Sequence, residues 1–208
     1  MEKILRKYFP DLSDKQEQQF KEMARLFREH NEKVNVVSRK DVENIEINHI
    51  LHSLAIAKYL KFTPGTTVID LGTGGGLPGL PLAVMFPDVH FHLIDRIGKK
   101  VNVAQEIADK IGLSNVSCQH GDMGECKVKA DFIVSRAVTD QPSLIKISRK
   151  NILKESKNAL PNGLITLKGG EVANELGKYL KISEITPVSN YFDEPFFDTK
   201  KIVYTPIN

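Results

Sequence analysis

The chain has 208 residues, of which 41% are hydrophobic, and its formal net charge is +3. This length suffices for one domain with an extension. No run of about 18 apolar residues occurs, so we expect no membrane span, and the charged start lacks a signal-peptide core. The small positive charge is compatible with a nucleic-acid partner without indicating one. Cys118 and Cys126 lack the spacing of a metal or redox pair and suit a reducing cytoplasm.

Two helices are predicted near the start of the chain. Ser13 and Gln16 have the spacing of a capping box, and apolar residues at helical spacing follow as far as about residue 31. A second helix is predicted over 41–60. His49 and His52 fall outside its apolar face, and we interpret them as polar caps or satisfied contacts, because further ligands for a metal are lacking.

After the helix-breaking segment Thr63-Pro64-Gly65, strands and helices alternate, which predicts a parallel sheet with helices on both faces. Two final strand-like runs, 182–188 and 201–205, have no helix between them and must pair antiparallel. This is the pattern of a Rossmann-like seven-stranded methyltransferase sheet, an α/β fold. We expect an N-terminal helical extension over 1–62 and one compact domain over 63–208. The other predicted strands are 67–71, 89–95, 115–119, 131–136 and 163–168, and the helices are 79–86, 98–111, 142–156 and 171–180.

The glycine-rich stretch from Asp70 to Gly79 joins a predicted strand to a predicted helix. Glycine there lets a ligand touch bare backbone and free N–H groups. A P-loop is excluded, because Leu77-Pro78 stands where Lys-Ser/Thr is needed. A dinucleotide fingerprint and a tight turn for packing alone stay open. Asp70 would repel a pyrophosphate but not a ligand with an ammonium and a sulfonium, which favours an S-adenosylmethionine (AdoMet) loop formed by Asp70, Gly72, Gly74 and Gly76.

Ligands of open α/β sheets lie beyond the carboxyl ends of the strands. Asp95 ends the second predicted strand and is placed to accept hydrogen bonds from ribose hydroxyls, in a dinucleotide or an AdoMet site. Met123 is a candidate wall for adenine and Asp122 a candidate acceptor for its amine, unless this pair forms an ordinary polar turn. Arg136 ends the fourth predicted strand.

Cations gather at the same edge of the predicted sheet, which suggests a polyanionic substrate, because phosphate neutralisation dominates affinity for nucleic acids. Lys99 and Lys100 start a predicted helix, where cations are electrostatically unfavourable, and this favours a substrate role over a merely solvated helix start. The candidate RNA-binding residues are Arg39, Lys40, Arg96, Lys99, Lys100 and Lys168, with Arg136 beside them.

Six segments, in order, resemble the bacterial 16S ribosomal-RNA guanine-N7 methyltransferases, also called glucose-inhibited division protein B. The resemblance implies AdoMet as methyl donor and a guanine N7 of small-subunit RNA as acceptor. It also implies cofactor contacts at Gly72, Leu77, Asp122-Met123 and Arg136. The family often has an acid where His52 stands and Ala-Glu where Asp122-Met123 stands. The segments are Asn35-Val36-Val37-Ser38, His49-Ile50-Leu51-His52-Ser53-Leu54, Asp70 to Leu80, Lys99-Lys100-Val101, Ser135-Arg136-Ala137 and Lys168-Gly169.

Guanine N7 carries a lone pair and no proton, so its methylation needs positioning and no general base. We therefore expect Arg136 to position the base or the methyl group, and we expect no metal. The expected partner is 16S ribosomal RNA or the small ribosomal subunit in the cytoplasm, with no obligatory protein partner. Two other functions stay open, an NAD-type oxidoreductase and a non-catalytic AdoMet-binding factor for ribosome assembly.

Overall fold

The computed structural model describes residues 2–38, 41–136 and 138–207. The strands are β1 Thr67–Leu71, β2 His90–Asp95, β3 Val116–His120, β4 Phe132–Arg136, β5 Gly163–Gly169, β6 Glu184–Pro187 and β7 Lys200–Pro206. The α-helices are α1 Glu2–Tyr8, α2 Asp14–Asn31, α3 His52–Tyr59, α4 Gly79–Met85, α5 Gly98–Lys110, α6 Gln141–Ser148 and α7 Ala173–Leu176. None of the helices in these ranges combines the length and apolar character that crossing a bilayer requires.

Within the described ranges, the seven strands form one sheet in the order β3-β2-β1-β4-β5-β7-β6. The first five strands run parallel, and β7 pairs antiparallel with both β5 and β6. The predicted fold class is confirmed. Because β1 pairs with β2 on one side and β4 on the other, the strand order reverses direction at β1, and a crevice opens beyond its carboxyl end.

The two faces of the sheet bury different sets of apolar side chains. Val68 and Val134 join a large cluster with residues of α2, α3 and α4, whereas Ile69 and Ile133 join a smaller one with α6. Side chains alternate between faces along a strand. The residues two positions after Val68 and Val134 are Asp70 and Arg136, so both point to the face that carries α3.

The N-terminal helices pack on the rest of the chain, with α2 against α4 and α5. Ser13 caps α2 in the predicted capping box: its side chain accepts from the Gln16 N–H while the Gln16 side chain accepts from the Ser13 N–H. Phe20 and Phe27 of α2 belong to the same cluster as Val68. The division of the chain at residue 62 stays a prediction, but residues on both sides of it contribute to one hydrophobic cluster.

Three predicted helices differ from the structure. The segment predicted as a helix over 41–60 is a 3-10 turn, then a π-helix over Glu46–Leu51, then α3. The helix predicted over 142–156 ends at Ser148, because the side chain of Asn151 donates to backbone carbonyls of the loop before β4 and draws the chain away. The helix predicted over 171–180 is only one turn of α7, followed by Gly177 at a φ of +51°.

Candidate cofactor site

A cleft of about 520 Å³ opens where the crevice was predicted, at the carboxyl ends of β1, β2, β3 and β4. This volume lies in the range of small-molecule sites. Most of the predicted cofactor residues and two of the predicted RNA-binding residues lie on its wall. They are Gly72, Gly74, Leu77, Asp95, Asp122, Met123, Arg136, Arg96 and Lys100.

Asp70 is predicted to contact the cofactor, but the structure directs its carboxylate into the loop. The side chain is fully buried, and its Oδ2 accepts from the Thr73 hydroxyl at 2.6 Å and the Gly79 N–H at 2.7 Å. Burial raises the pKa of Asp70 to about 7. Asp70 is absent from the cleft wall and closes the loop through Oδ2, while Oδ1 has no hydrogen-bond partner among the described residues. Its contact with a cofactor stays a prediction.

Gly76 also serves packing rather than the cleft. A Cβ at this position would lie 2.3 Å from Leu80 Cδ1, so glycine lets the loop close onto α4. Gly72 and Gly74, in contrast, line the cleft with φ values of +69° and +57°. A Cβ at Gly72 would lie 2.4 Å from Val138 Cγ2, whereas a Cβ at Gly74 would meet no atom within 4 Å. The loop therefore leaves open space for a ligand beside Gly74.

The Asp95 carboxylate links the glycine-rich loop to the start of α5. Its Oδ2 accepts from the Gly74 N–H at 2.8 Å, and its Oδ1 accepts from the Ile97 N–H at 2.8 Å. A carboxylate has about four lone-pair sites, so one site on each oxygen remains for a ligand. The two backbone bonds fix the orientation of the carboxylate at the cleft wall.

After β3, Met123 is buried and Asp122 is exposed. Asp122 Oδ1 accepts from the Gly124 N–H at 2.7 Å, and its Oδ2 lies 3.5 Å from Arg96 Nε. Both side chains line the cleft, although these bonds also describe an ordinary polar turn. Their contact with a cofactor stays a prediction.

Arg136 lines the cleft, and its guanidinium makes no hydrogen bond and no ion pair with the residues that the structure describes. Burial lowers the pKa of Arg136 to about 10, against the opposing effect of the Asp70 and Asp41 carboxylates. The side chain is therefore charged at neutral pH. Its five N–H donors are available to a ligand.

His49 and His52 lie beside Arg136 and are buried. Neither ring nitrogen of His49, nor Nε2 of His52, has a hydrogen-bond partner in the described part of the chain. Burial, followed by the charge of Arg136, lowers the pKa of His49 to about 3 and also lowers the pKa of His52. Both imidazoles are neutral at neutral pH. The interpretation as a polar cap or satisfied contact is wrong for His49, whose two ring nitrogens are both unpartnered in the described part of the chain. For His52 it holds in part, because the ring has a backbone hydrogen bond with Asn48.

We expect His49 to lower the stability of the protein in mild acid. The unfolded chain binds a proton at His49 below about pH 6.5, whereas the folded chain leaves it neutral down to about pH 3. Unfolding thus takes up a proton in this window, and the free energy of unfolding falls as the pH falls. As the pH falls from about 7.5 to 5.5, the free energy of unfolding of His49→Leu, measured by chemical denaturation, should rise by roughly 1 kcal/mol relative to that of the unaltered chain. A constant difference would contradict this.

The candidate RNA-binding residues are not equivalent in the structure. Arg39 and Lys40 lie outside the described residues. Arg96 and Lys100 lie on the cleft wall, and Lys99 is exposed beside them. Their contact with RNA stays a prediction.

The prediction that Lys168 binds RNA is corrected. Its Nζ lies 2.8 Å from Glu175 Oε1 and donates to the Thr139 carbonyl at 2.5 Å, and only 11% of its side chain is exposed. The ammonium therefore already has partners within the fold. We remove Lys168 from the set of residues available to a phosphate.

Several residues of the cleft wall were not predicted from the sequence. Thr73 holds the Asp70 carboxylate, and three apolar side chains on the wall are unusually exposed: Ile97 at 51%, Val138 at 42% and Ile147 at 42%. A signal existed for two of them, because Ile97 and Val138 each stand two residues after the last residue of a strand, β2 or β4. Their exposure suits a flat apolar group of a ligand.

Among the described residues, no group of three His, Cys, Asp or Glu side chains is placed to hold a metal ion.

The family model described as rRNA small subunit methyltransferase G, GidB, matches residues 16–187. The chain belongs to this family. The resemblance found in the sequence is thereby confirmed.

Curated relatives match along almost the whole chain. The ribosomal RNA small subunit methyltransferase G of Phocaeicola vulgatus is 55% identical over 208 residues, which are 100% of this chain and 99% of the relative. That of Parabacteroides distasonis is 53% identical over 204 residues, 98% of this chain and 89% of the relative. A crystal structure of a SAM dependent methyltransferase from Aquifex aeolicus has a TM-score of 0.55 and 18% identity, covering 75% of this chain and 89% of that one. At this identity the structure supports the fold alone.

Proposed function

We propose that this protein transfers the methyl group of AdoMet to N7 of a guanine in small-subunit ribosomal RNA, in the cytoplasm. The observation that carries the proposal is the cleft of a chain in the rRNA small subunit methyltransferase G family. It combines an open glycine loop, an oriented carboxylate and a guanidinium without a partner in the described residues. The alternatives differ in what such a cleft would have to bind.

The residues of the cleft fit AdoMet in three ways. The free lone pairs of Asp95 suit the two ribose hydroxyls, because its backbone bonds already fix the carboxylate. Met123 and the exposed Ile97 offer apolar surface to an adenine. The open space beside Gly74 admits the amino-acid part of the ligand against bare backbone. When bound, AdoMet supplies an electrophilic methyl group on a sulfonium.

The topology of the sheet separates AdoMet from a dinucleotide, whereas Asp95 suits the ribose of either. The antiparallel pair β6–β7 ends the sheet, whereas a dinucleotide-binding sheet has six mostly parallel strands. This observation favours AdoMet over NAD.

Methylation of N7 requires this chain to hold the base rather than to move a proton. Guanine presents O6 and N7 as acceptors on one edge. A donor on N7 would block the lone pair that attacks, so we assign the Arg136 guanidinium to O6, to a phosphate or to the edge of the cofactor. Alignment of the attacking atom with the methyl group can supply roughly 7–11 kcal/mol of the barrier.

The proposal is tested by methyl transfer from labelled AdoMet to small-subunit RNA from cells that lack the gene. We expect label on one guanine and chain cleavage at that position after treatment specific for N7-methylguanine. Large-subunit RNA is the matched control and should stay unlabelled. RNA binding without transfer would favour the non-catalytic assembly factor. A melting temperature raised by nicotinamide nucleotides and not by AdoMet would favour the oxidoreductase.

A further inference from the structure

Beside the cleft, the structure brings together cations that the sequence analysis did not single out. Two stand in the loop before β4, one in α6 and two in the 3-10 turn Arg149–Asn151 that follows α6. All five are exposed. We call them the basic surface: Lys127, Lys129, Lys146, Arg149 and Lys150.

Backbone contacts make the basic surface one continuous patch. The Lys129 ammonium donates to the Lys150 carbonyl, and the Lys150 ammonium donates to the Gly124 carbonyl. The side chain of Asn151 donates to the carbonyls of Cys126 at 3.0 Å and Val128 at 2.7 Å. The loop and the turn are therefore fixed to each other, which holds the backbone positions of their basic residues together.

The basic surface borders the cleft along two lines. Lys146 and Lys150 are one helical turn apart, and Ile147, which is exposed with them, lines the cleft. Gly124, the acceptor for Lys150, directly follows the cleft residue Met123. An RNA strand that leaves the cleft on this side would therefore lie against the basic surface.

These positive charges have no counter-charge within the fold. Among the described residues, no carboxylate lies within ion-pair distance of any member of the basic surface, although nearby Lys157 pairs with Asp131 and Lys168 pairs with Glu175. Like charges one helical turn apart repel each other. Lys129 and Lys150 fix the loop to the turn, but no carboxylate among the described residues offsets the repulsion between these cations. A bound polyanion would offset it.

We propose that the basic surface binds the phosphate backbone of the substrate RNA next to the nucleotide that enters the cleft. The inference rests on the proposed function and names a contact surface for its substrate. RNA is the occupant because the surface is continuous with the cleft that receives the base. Each phosphate neutralised by a cation releases counterions and makes binding depend on salt.

The test is the triple variant Lys127→Gln, Lys146→Gln, Arg149→Gln. These side chains make no hydrogen bond with described residues, unlike Lys129 and Lys150, so their replacement should preserve the fold. In filter binding to small-subunit RNA over a salt series, we expect the Kd to rise about tenfold or more. The slope of log affinity against log salt should flatten by about two, from roughly 0.7–0.9 for each lost phosphate contact.

The matched control removes three positive charges elsewhere, by Lys15→Gln, Lys21→Gln and Lys61→Gln. These lysines are also exposed, and they have no ion pair with described residues. The control should bind RNA within twofold of the unaltered chain. Isothermal titration should give the unaltered affinity for AdoMet in both variants, because the replaced side chains lie outside the cleft wall.

The proposal is overturned if the triple variant keeps the affinity and the salt slope of the unaltered chain, or if the control loses as much. It is also overturned if the unaltered chain fails to bind RNA, or if the variant loses binding only to anionic phosphatidylserine vesicles. Methyl transfer is measured separately. An unaltered chain that binds RNA through this surface but transfers no methyl group would contradict the proposed activity while supporting the surface.

Discussion

Gly72→Asp is expected to weaken AdoMet binding at least about a hundredfold, which corresponds to about 2.7 kcal/mol. A Cβ at Gly72 would lie 2.4 Å from Val138 Cγ2, and both residues line the cleft. The loop or Val138 must then move, and the new carboxylate enters the space proposed for the ligand. Isothermal titration with AdoMet measures the loss.

The control for this prediction is Gly112→Asp. Gly112 has the same φ of +69°, but a Cβ there meets no atom within 4 Å, and the residue lies outside the cleft wall. Both variants carry the backbone strain of a side chain at positive φ, about 1–2 kcal/mol. Only Gly72→Asp should lose ligand. Equal affinities in the two variants would show that the ligand lies away from this glycine.

Local patterns predicted the sheet and the position of the cleft. The predicted strands agree with the observed ones to within one or two residues at each end, because buried parallel strands appear as short apolar runs bounded by turns. The glycine-rich loop and Asp95 could be placed on the cleft from strand order alone. A rule about where strands end suffices for such residues, since it needs no knowledge of distant contacts.

The remaining errors depend on contacts between segments far apart in the chain. Lys168 was counted as free, but Glu175 and the Thr139 carbonyl occupy its ammonium. The predicted helix over 142–156 was too long, because the side chain of Asn151 donates hydrogen bonds to backbone carbonyls of the loop before β4. Helical periodicity describes one segment and contains no information on such partners.

Asp70 and His49 show the same limit within the site. The acidic residue before the glycines was predicted to contact the cofactor, and the structure shows that its Oδ2 accepts from Thr73 and the loop backbone instead. His49 was placed outside the apolar face of a regular helix, whereas it lies in a π-helix and its ring is buried. Direction of a side chain depends on backbone geometry that the residue order does not reveal.

Arg136→Ala is expected to slow single-turnover methyl transfer about a hundredfold or more, even with RNA and AdoMet at saturation. Misplacing the reacting atoms by about 1 Å can cost this much. The rate of Arg136→Lys should lie between those of the unaltered chain and Arg136→Ala, because lysine keeps the charge but loses the planar set of donors. Arg96→Ala is the matched control. Arg96 lines the same cleft but pairs with Asp122 at its exposed rim, so its loss should weaken RNA binding without changing the saturated rate.

A second measurement separates this role of Arg136 from a structural one. The guanidinium has no hydrogen bond or ion pair within the described residues, and burial lowers its pKa to about 10. The lowered pKa means that burial disfavours the charge by more than the Asp70 and Asp41 carboxylates favour it. Arg136→Ala should therefore leave the free energy of unfolding unchanged or raise it. A structural arginine would show the opposite, because its removal would leave partners unpaired. A normal rate in a destabilised Arg136→Ala would therefore contradict the assignment. A slow rate in an equally or more stable variant would mean that Arg136 lowers the stability of the fold and serves to position the RNA or the cofactor.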